Sequence, residues 1–244
     1  MADVAVFQQN GFHARFDWGY EGVKALAPVS DIVVIVDVLS FTTCVDVVLA
    51  RGGVVYPYRY RHASASEYAA SVQAVLAGKR GEPISLSPAS LSAIDEGCRI
   101  VLPSPNGATC AFLAKDSGAI VVAGSLRNAS AVARFIRNTG GIVTVIASGE
   151  RWPDGSLRPA FEDMVAAGAI LGELHGYRLS PEARLAVAAF DAAKSEMYPL
   201  LCESASGREL IAAGFAEDVA IASVWNASQV VPVLNREGAF VSGY

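Results

Sequence analysis

Two hydrophobic periods alternate along this chain. Residues 32–36, Ile-Val-Val-Ile-Val, form an unbroken β-branched run that stops at Asp37, the pattern of a strand covered on both faces. Residues 42–50 return to helical spacing, and Gly52-Gly53 ends them. Residues 54–60 read as another strand. Ser64-Ala65-Ser66-Glu67 then reads as a capping box that opens a helix with Tyr68, Val72, Val75 and Leu76 on one face, closing at Gly78. The same order recurs: strand 99–102, loop 103–106 and helix 107–114, then strand 119–123, loop 124–127 and helix 128–137. Gly140-Gly141 leads into a strand at 142–147. Beyond Ser148 the pattern turns helical over 160–175, 181–194, 206–213 and 216–224. One late strand, 230–234, contains Pro232, which predicts a sheet edge or a neighbouring bulge.

Repeated strand-helix-strand units predict an α/β fold: a mainly parallel sheet flanked by helices, three-layered and Rossmann-like, with right-handed crossovers and a more helical C-terminal part. Residues 1–150 would form the α/β domain that carries most strand-end loops. Residues 151–244 would form a helix-rich subdomain completing the same site, or the two form one domain. The apolar, Ala-rich helices at 160–175 and 181–194 pack on the sheet or form a homo-oligomer interface.

Composition narrows the function classes. The chain has 244 residues, 52% hydrophobic and 18% charged, with mean hydropathy +0.37, so it can build a core and is not disordered. Its longest apolar runs have strand length, well short of the roughly 20 residues a membrane span needs. No membrane partner is expected. Residues 1–7 lack the basic stretch and apolar core of a secretory signal, which makes a cytoplasmic location the expectation. Nineteen Lys and Arg against 24 Asp and Glu give a net charge of -5, with one short basic run at 59–62, so no nucleic-acid partner is expected. Four cysteines without a C-x-x-C pair read as reduced thiols, with Cys44 and Cys110 as small buried apolar residues in early helical turns. Three scattered histidines show no ligand spacing, so any metal must be held by carboxylates. Nucleotide-binding glycine loops and Ser-His-Asp or Cys-His arrangements are absent.

Candidate chemistry lies in the loops after the strands. In open parallel sheets ligands bind beyond the strand carboxyl ends, and here the loops at 37–43, 104–107, 124–128 and 148–150 all carry small polar residues. Their hydroxyls, amides and helix-start N–H groups suit a small anion, although any single Ser, Thr or Asn is more often an ordinary helix cap. Asp37, directly after the buried run, reads as a metal ligand, a phosphoryl acceptor or a turn cap. Glu162 and Asp163, in the first turn of a helix, either complement its dipole or bind a metal. Oxygen-only ligands point to Mg²⁺.

Taken together these segments resemble the 2-phosphosulfolactate phosphatase family. The resemblance is carried by Val34-Ile35-Val36-Asp37-Val38-Leu39-Ser40-Phe41-Thr42-Thr43, Ser104-Pro105-Asn106-Gly107-Ala108-Thr109, Gly124-Ser125-Leu126-Arg127-Asn128-Ala129-Ser130-Ala131 and Gly155-Ser156-Leu157-Arg158-Pro159-Ala160-Phe161-Glu162-Asp163. A fifth block, Ser206-Gly207-Arg208-Glu209-Leu210 with Gly214, Asp218 and Val231-Pro232, extends it over nearly the whole chain. The resemblance implies a Mg²⁺-dependent hydrolase that releases phosphate from 2-phospho-3-sulfolactate. By position it makes Asp37, Glu162 and Asp163 the metal candidates. It makes Ser40, Thr42, Thr43, Asn106, Gly107, Ser125 and Asn128 candidates for the phosphate and sulfonate. Much of the family has Arg-Ala where this chain has Ser40-Phe41, so Arg127, Arg158 or Arg208 supplies the missing cation or the substrate is another phosphorylated hydroxy acid.

The expected mechanism is metal-assisted hydrolysis of a phosphate monoester. Asp37 attacks to form an aspartyl phosphate, or a water activated by Asp163 or Glu150 attacks directly. The rival from another class is a non-catalytic anion-binding or regulatory protein on the same fold.

Overall fold

In chain order the strands are β1 (Ala14–Trp18), β2 (Ile32–Val36), β3 (Val54–Tyr58), β4 (Val75–Leu76), β5 (Arg99–Pro103), β6 (Ile120–Gly124), β7 (Val143–Ala147), β8 (Glu150–Arg151), β9 (Leu157–Arg158), β10 (Pro232–Leu234) and β11 (Phe240–Ser242). The helices are α1 (Gly19–Leu26), α2 (Phe41–Ala50), α3 (Ala63–Ser71), α4 (Pro88–Leu91), α5 (Gly107–Lys115) and α6 (Ala129–Thr139). They continue with α7 (Phe161–Leu171), α8 (Pro181–Ala193), α9 (Met197–Glu203), α10 (Ala205–Ala212) and α11 (Ala216–Ser223). This computed structural model describes residues 4–59 and 63–243. Tyr60, Arg61 and His62, which end the strand expected at 54–60 and the basic run at 59–62, lie outside the described residues, as do residues 1–3.

Nine strands form one sheet in the order β1-β7-β2-β6-β10-β11-β3-β5-β4, while β8 and β9 pair as a separate hairpin. Neighbours within β1-β7-β2-β6 and within β3-β5-β4 are parallel. The β10-β11 hairpin stands between these groups through three successive antiparallel pairings, so the β3 group runs opposite to β6. Helices cover both faces. Ile32, Val34 and Val36 of β2 pack with α6, α7 and α8, whereas Val33 and Ile35 pack with α1, α2 and α5. The alternation of side chains along a strand delivers neighbouring residues to two separate cores. The architecture is thus the expected α/β one, a mostly parallel sheet between helices with a helical C-terminal part.

Several elements differ from the sequence expectation. The helix expected to run to Gly78 ends at Ser71, because Gln73 adopts a positive φ of 51° and turns the chain so that Val75–Leu76 pairs with β5. An open sheet edge here outweighs the helical spacing. Pro232 lies in the interior of the sheet, not at an edge. It is the first residue of β10, and β10 meets β6 only at Val233, so the missing proline N–H removes no ladder bond there. Finally, β1 and α1 form from a segment whose polar residues mask its periodicity. Arg15 is buried there with its guanidinium donating to the Phe12 and Val29 carbonyls.

Helix α7 lies on β7, β2 and β6 and packs along α8. Gly168 permits that approach: a Cβ at this position would overlap the Ala186 carbonyl oxygen and come within 2.9 Å of the Phe190 Cβ. Among the described residues no helix is long and apolar enough to cross a membrane.

Candidate active site

Val36 is in register with Gly124 on one side and Ala147 on the other, so Asp37, Ser125 and Ser148 leave the sheet side by side. Asp37 is pinned in place. Its Oδ2 accepts from the Gly107 amide at 2.6 Å and the Ser104 hydroxyl at 3.4 Å, and its Oδ1 accepts from the Phe41 amide at 3.3 Å. Gly107 allows the contact, since a Cβ would stand 2.6 Å from that carboxylate oxygen and 2.5 Å from the Phe41 ring.

Asp163, in the first turn of α7, accepts from the Val38 amide at 2.8 Å on Oδ1 and the Gly149 amide at 2.9 Å on Oδ2. It therefore ties together the loops that leave β2 and β7. Glu162 beside it is 2% exposed, and no hydrogen bond to its carboxylate is found among the described residues. Glu150, on β8, accepts from Asn106 Nδ2 at 2.9 Å.

Four carboxyl groups thus share a small, largely dry volume. Burial, aided by the charge of Glu162 and opposed by the Gly107 and Phe41 amides, brings the Asp37 carboxyl up to about 6. Burial pushes Glu150 up to about 7, with Asp37 and Glu162 adding to the rise and Arg158 opposing it. Asp163 is raised well above the ordinary carboxylate range by burial and then by Asp37 and Glu162. Mutual repulsion and desolvation act in one direction here, as in any cluster of like charges without a compensating cation.

These residues fit a hard divalent cation in a particular way. The donor set is all oxygen, and the buried Asn106 Oδ1 has no hydrogen-bond partner among the described residues. Among the described residues no group of three or more His, Cys, Asp or Glu side chains could hold a metal ion unaided. Mg²⁺ is in general bound through one or two carboxylates, several waters and substrate phosphate oxygens.

A cleft of about 230 Å³ opens over Asp37, Ser40, Ser104, Asn106 and Glu150. Ser206, Glu209 and Leu210 of α10 close its far side. Other anticipated residues sit behind it. Thr42 Oγ1 donates to the Asp37 carbonyl at 2.9 Å, and Thr43 Oγ1 to the Val38 carbonyl at 2.7 Å, so both hydroxyls brace the turn. Ser125 donates from its amide and hydroxyl to Asn128 Oδ1, and Asn128 Nδ2 reaches the Ala123 and Val230 carbonyls, which anchors the chain ahead of β10. Arg158 donates to Ser206 Oγ at 3.0 Å from behind the cleft wall. Arg127 pairs with the buried Asp46 at 2.8 Å, and Arg208 is exposed. Cys44 and Cys110 are buried, and burial raises both thiols, Cys110 to about 12.

The cation that does reach Ser40 is Arg80, with Nη2 at 3.3 Å from the Ser40 hydroxyl. Sequence reasoning passed over it. Its local signal is only a Gly-Lys-Arg-Gly loop, and its partner Asp218 is 138 residues away.

Comparison with known proteins bears on the same segments. The family model described as 2-phosphosulpholactate phosphatase matches residues 21–237. A protein of Carboxydothermus hydrogenoformans named "Probable 2-phosphosulfolactate phosphatase" is 30% identical over 208 residues, covering 82% of this chain and 84% of that one. Proteins of the same name from Cyanothece sp. and Pseudothermotoga lettingae are 27% and 28% identical. They cover 88% and 84% of this chain and 93% and 91% of their own. The match embraces the Asp37 loop, the Asn106 loop, the Glu162-Asp163 turn and α10, the segments that build the cleft. This chain belongs to the 2-phosphosulpholactate phosphatase family, and so to the phosphoric monoester hydrolases.

Proposed function

We propose that this protein hydrolyses a small phosphate monoester, 2-phospho-3-sulfolactate or a related phosphorylated hydroxy acid, to the alcohol and inorganic phosphate in the presence of Mg²⁺. One observation carries the reading: buried Asp37 and half-buried Glu150, the latter raised to about 7, line a cleft of only about 230 Å³, with buried Glu162 and Asp163 beside them. That volume is below the roughly 300–1,000 Å³ of sites for drug-sized ligands, and favours a compact ester.

Asp37 and Glu162 would hold the cation, with Asn106 Oδ1 beside them and Asp163 adding charge behind. When bound, Mg²⁺ neutralises charge on the phosphoryl oxygens. Glu150 supplies the proton chemistry, since an acid or base works best with a pKa near the working pH. Asn106 orients it by donating to Oε2, which leaves Oε1 to take a proton from the attacking water. As the water oxygen bonds to phosphorus, the bond from phosphorus to the ester oxygen breaks; the second proton of the attacking water stays on the phosphate, the leaving alkoxide takes a proton from solvent, and Glu150 returns its proton to solvent. Direct attack by water is favoured over an aspartyl phosphate because it leaves Asp37 to the cation and uses Glu150, which Asn106 orients in the cleft, as the base. Acid quenching during turnover of ³²P-labelled ester is expected to leave no label on the protein. Label on Asp37 would sink the water mechanism.

The overall test is phosphate release from a panel of small phosphate monoesters with and without Mg²⁺. Release only with the cation is the expected result, whereas ligand binding without any release would favour a non-catalytic anion-binding protein.

Stability supplies a second readout. Asp37, Glu150 and Asp163 all have folded-state values above those of the unfolded chain, so between about pH 4 and 7 the folded state binds more protons. Folding stability of the metal-free protein then falls as pH rises through this window. For Asp37 alone, a rise from 3.8 to about 6 corresponds to roughly 3 kcal/mol as an upper bound. Melting curves in a chelator are expected to show a higher Tm at pH 5 than at pH 8, with Mg²⁺ raising Tm most at pH 8. A chelated protein that is more stable at pH 8 would contradict the carboxylate cluster.

A further inference from the structure

Arg80 is built into the cleft wall. Its guanidinium pairs with Asp218, lies 5.3 Å over the Phe215 ring and donates to the Ser40 hydroxyl. Asp218 is 1% exposed and has other donors, the Ser87 hydroxyl at 2.5 Å and the Ala89 amide at 3.1 Å. Both of those donors serve Oδ1 and hold the carboxylate in place, Oδ2 is left to Arg80, and the fixed position of the carboxylate dictates where the guanidinium points. The Arg80 side chain keeps 21% of its surface exposed, which a strut serving only the core would not need.

Charge around the cleft is lopsided. Asp37, Glu150 and Glu209 line it, and among the described lining residues Arg80 is the single cationic side chain. Arg80 and the acid cluster meet the cleft at different points: Arg80 at Ser40, the cluster at Asn106 and Glu150. A monoester whose phosphate sits over the acids would present the rest of its carbon skeleton to Arg80. A fixed planar guanidinium fits a carboxylate or sulfonate, which offers two or three oxygens on one atom.

Building on the hydrolase reading above, we infer that Arg80, positioned by Asp218, binds a second anionic group on the substrate and selects monoesters bearing a carboxylate or sulfonate close to the phosphate. Arg80 is a specificity-determining residue in this scheme, and Asp218 a positioning residue.

The test compares three esters of similar size: phosphoglycolate, the phosphate ester of 2-hydroxyethanesulfonate, and ethyl phosphate, which has no second anion. Wild-type protein is expected to prefer one or both of the first two, and the better of them identifies the group recognised. Arg80→Gln is expected to raise KM for that ester by roughly 10- to 100-fold, the scale of a hydrogen bond to a charged group. The effect on ethyl phosphate is expected to be at least tenfold smaller. Arg80→Lys, which keeps the charge without the planar fork, is expected to lose less, and Asp218→Asn to raise KM more than it lowers kcat. Equal losses on all three esters would overturn the inference. Calorimetric titration with 3-sulfolactate, which carries no phosphate, separates this from the hydrolase reading. Wild-type binding that weakens at least tenfold in Arg80→Gln supports the role of Arg80 even if no ester is turned over. Binding unchanged in the variant, or absent from the wild type, would overturn it.

Discussion

Glu150→Gln is expected to lower kcat by about 100- to 10,000-fold, the range that positioned acid-base groups contribute, with KM changed only a few-fold. The substitution is nearly isosteric, and a glutamine oxygen can still accept from Asn106 Nδ2, so the turn that carries residue 150 is preserved. What disappears is the oxygen able to gain and lose a proton near neutrality, which burial and the neighbouring carboxylates create. The variant also removes one like charge from the cluster, so in chelator its melting temperature at pH 8 is expected to equal or exceed that of the parent. Phosphate-release kinetics and paired melting curves check both statements. Turnover within tenfold of the parent would remove Glu150 from the chemistry.

Gly168→Ala is expected to cost at least about 3 kcal/mol, at or above the upper end of ordinary overpacking, because the obstacle is main chain and cannot rotate away. The added methyl would overlap the Ala186 carbonyl oxygen, and α7 and α8 would have to separate along a buried contact. Helix α7 carries Glu162 and Asp163 in its first turn, so the strain reaches the cleft. Displacing Asp163 weakens its bonds to the Val38 and Gly149 amides and loosens both strand-end loops. Denaturant titration measures the stability loss, and residual activity below the parent at a temperature where the variant remains folded reports the transmitted part. A variant with unchanged midpoint and full activity would show that the helix pair can open without consequence. Gly172→Ala, where an added Cβ would stand 3.2 Å from the Gly168 carbonyl oxygen, serves as the milder comparison.

Much of this was legible in the sequence, for reasons particular residues make clear. The 32–36 run announced a doubly covered strand because every one of its side chains is apolar, and Asp37 stood out by ending it. The loops after β2, β5 and β7 do converge, and Glu162 and Asp163 join them. The roles of individual polar side chains were less readable. Thr42, Ser125 and Asn128 occupy the same kind of loop as Asn106, yet they spend their hydrogen bonds on nearby backbone and on each other. Arg80 was invisible because its meaning depends on Asp218 and Ser40, which only the folded chain brings beside it. Strand β4 was misread because sheet pairing, a long-range effect, prevailed over local helical spacing.

The β10-β11 hairpin has a consequence for how the chain acquires its shape during synthesis. Residues 232–242 emerge after all the other described strands, yet they occupy the seam between β6 and β3. Until they arrive, the two parallel groups each hold an open strand edge, a template for pairing with another chain. A ribosome-tethered intermediate would therefore be exposed to aggregation until residues 232–242 emerge, and closure of the seam is the step that commits the nascent protein to one sheet.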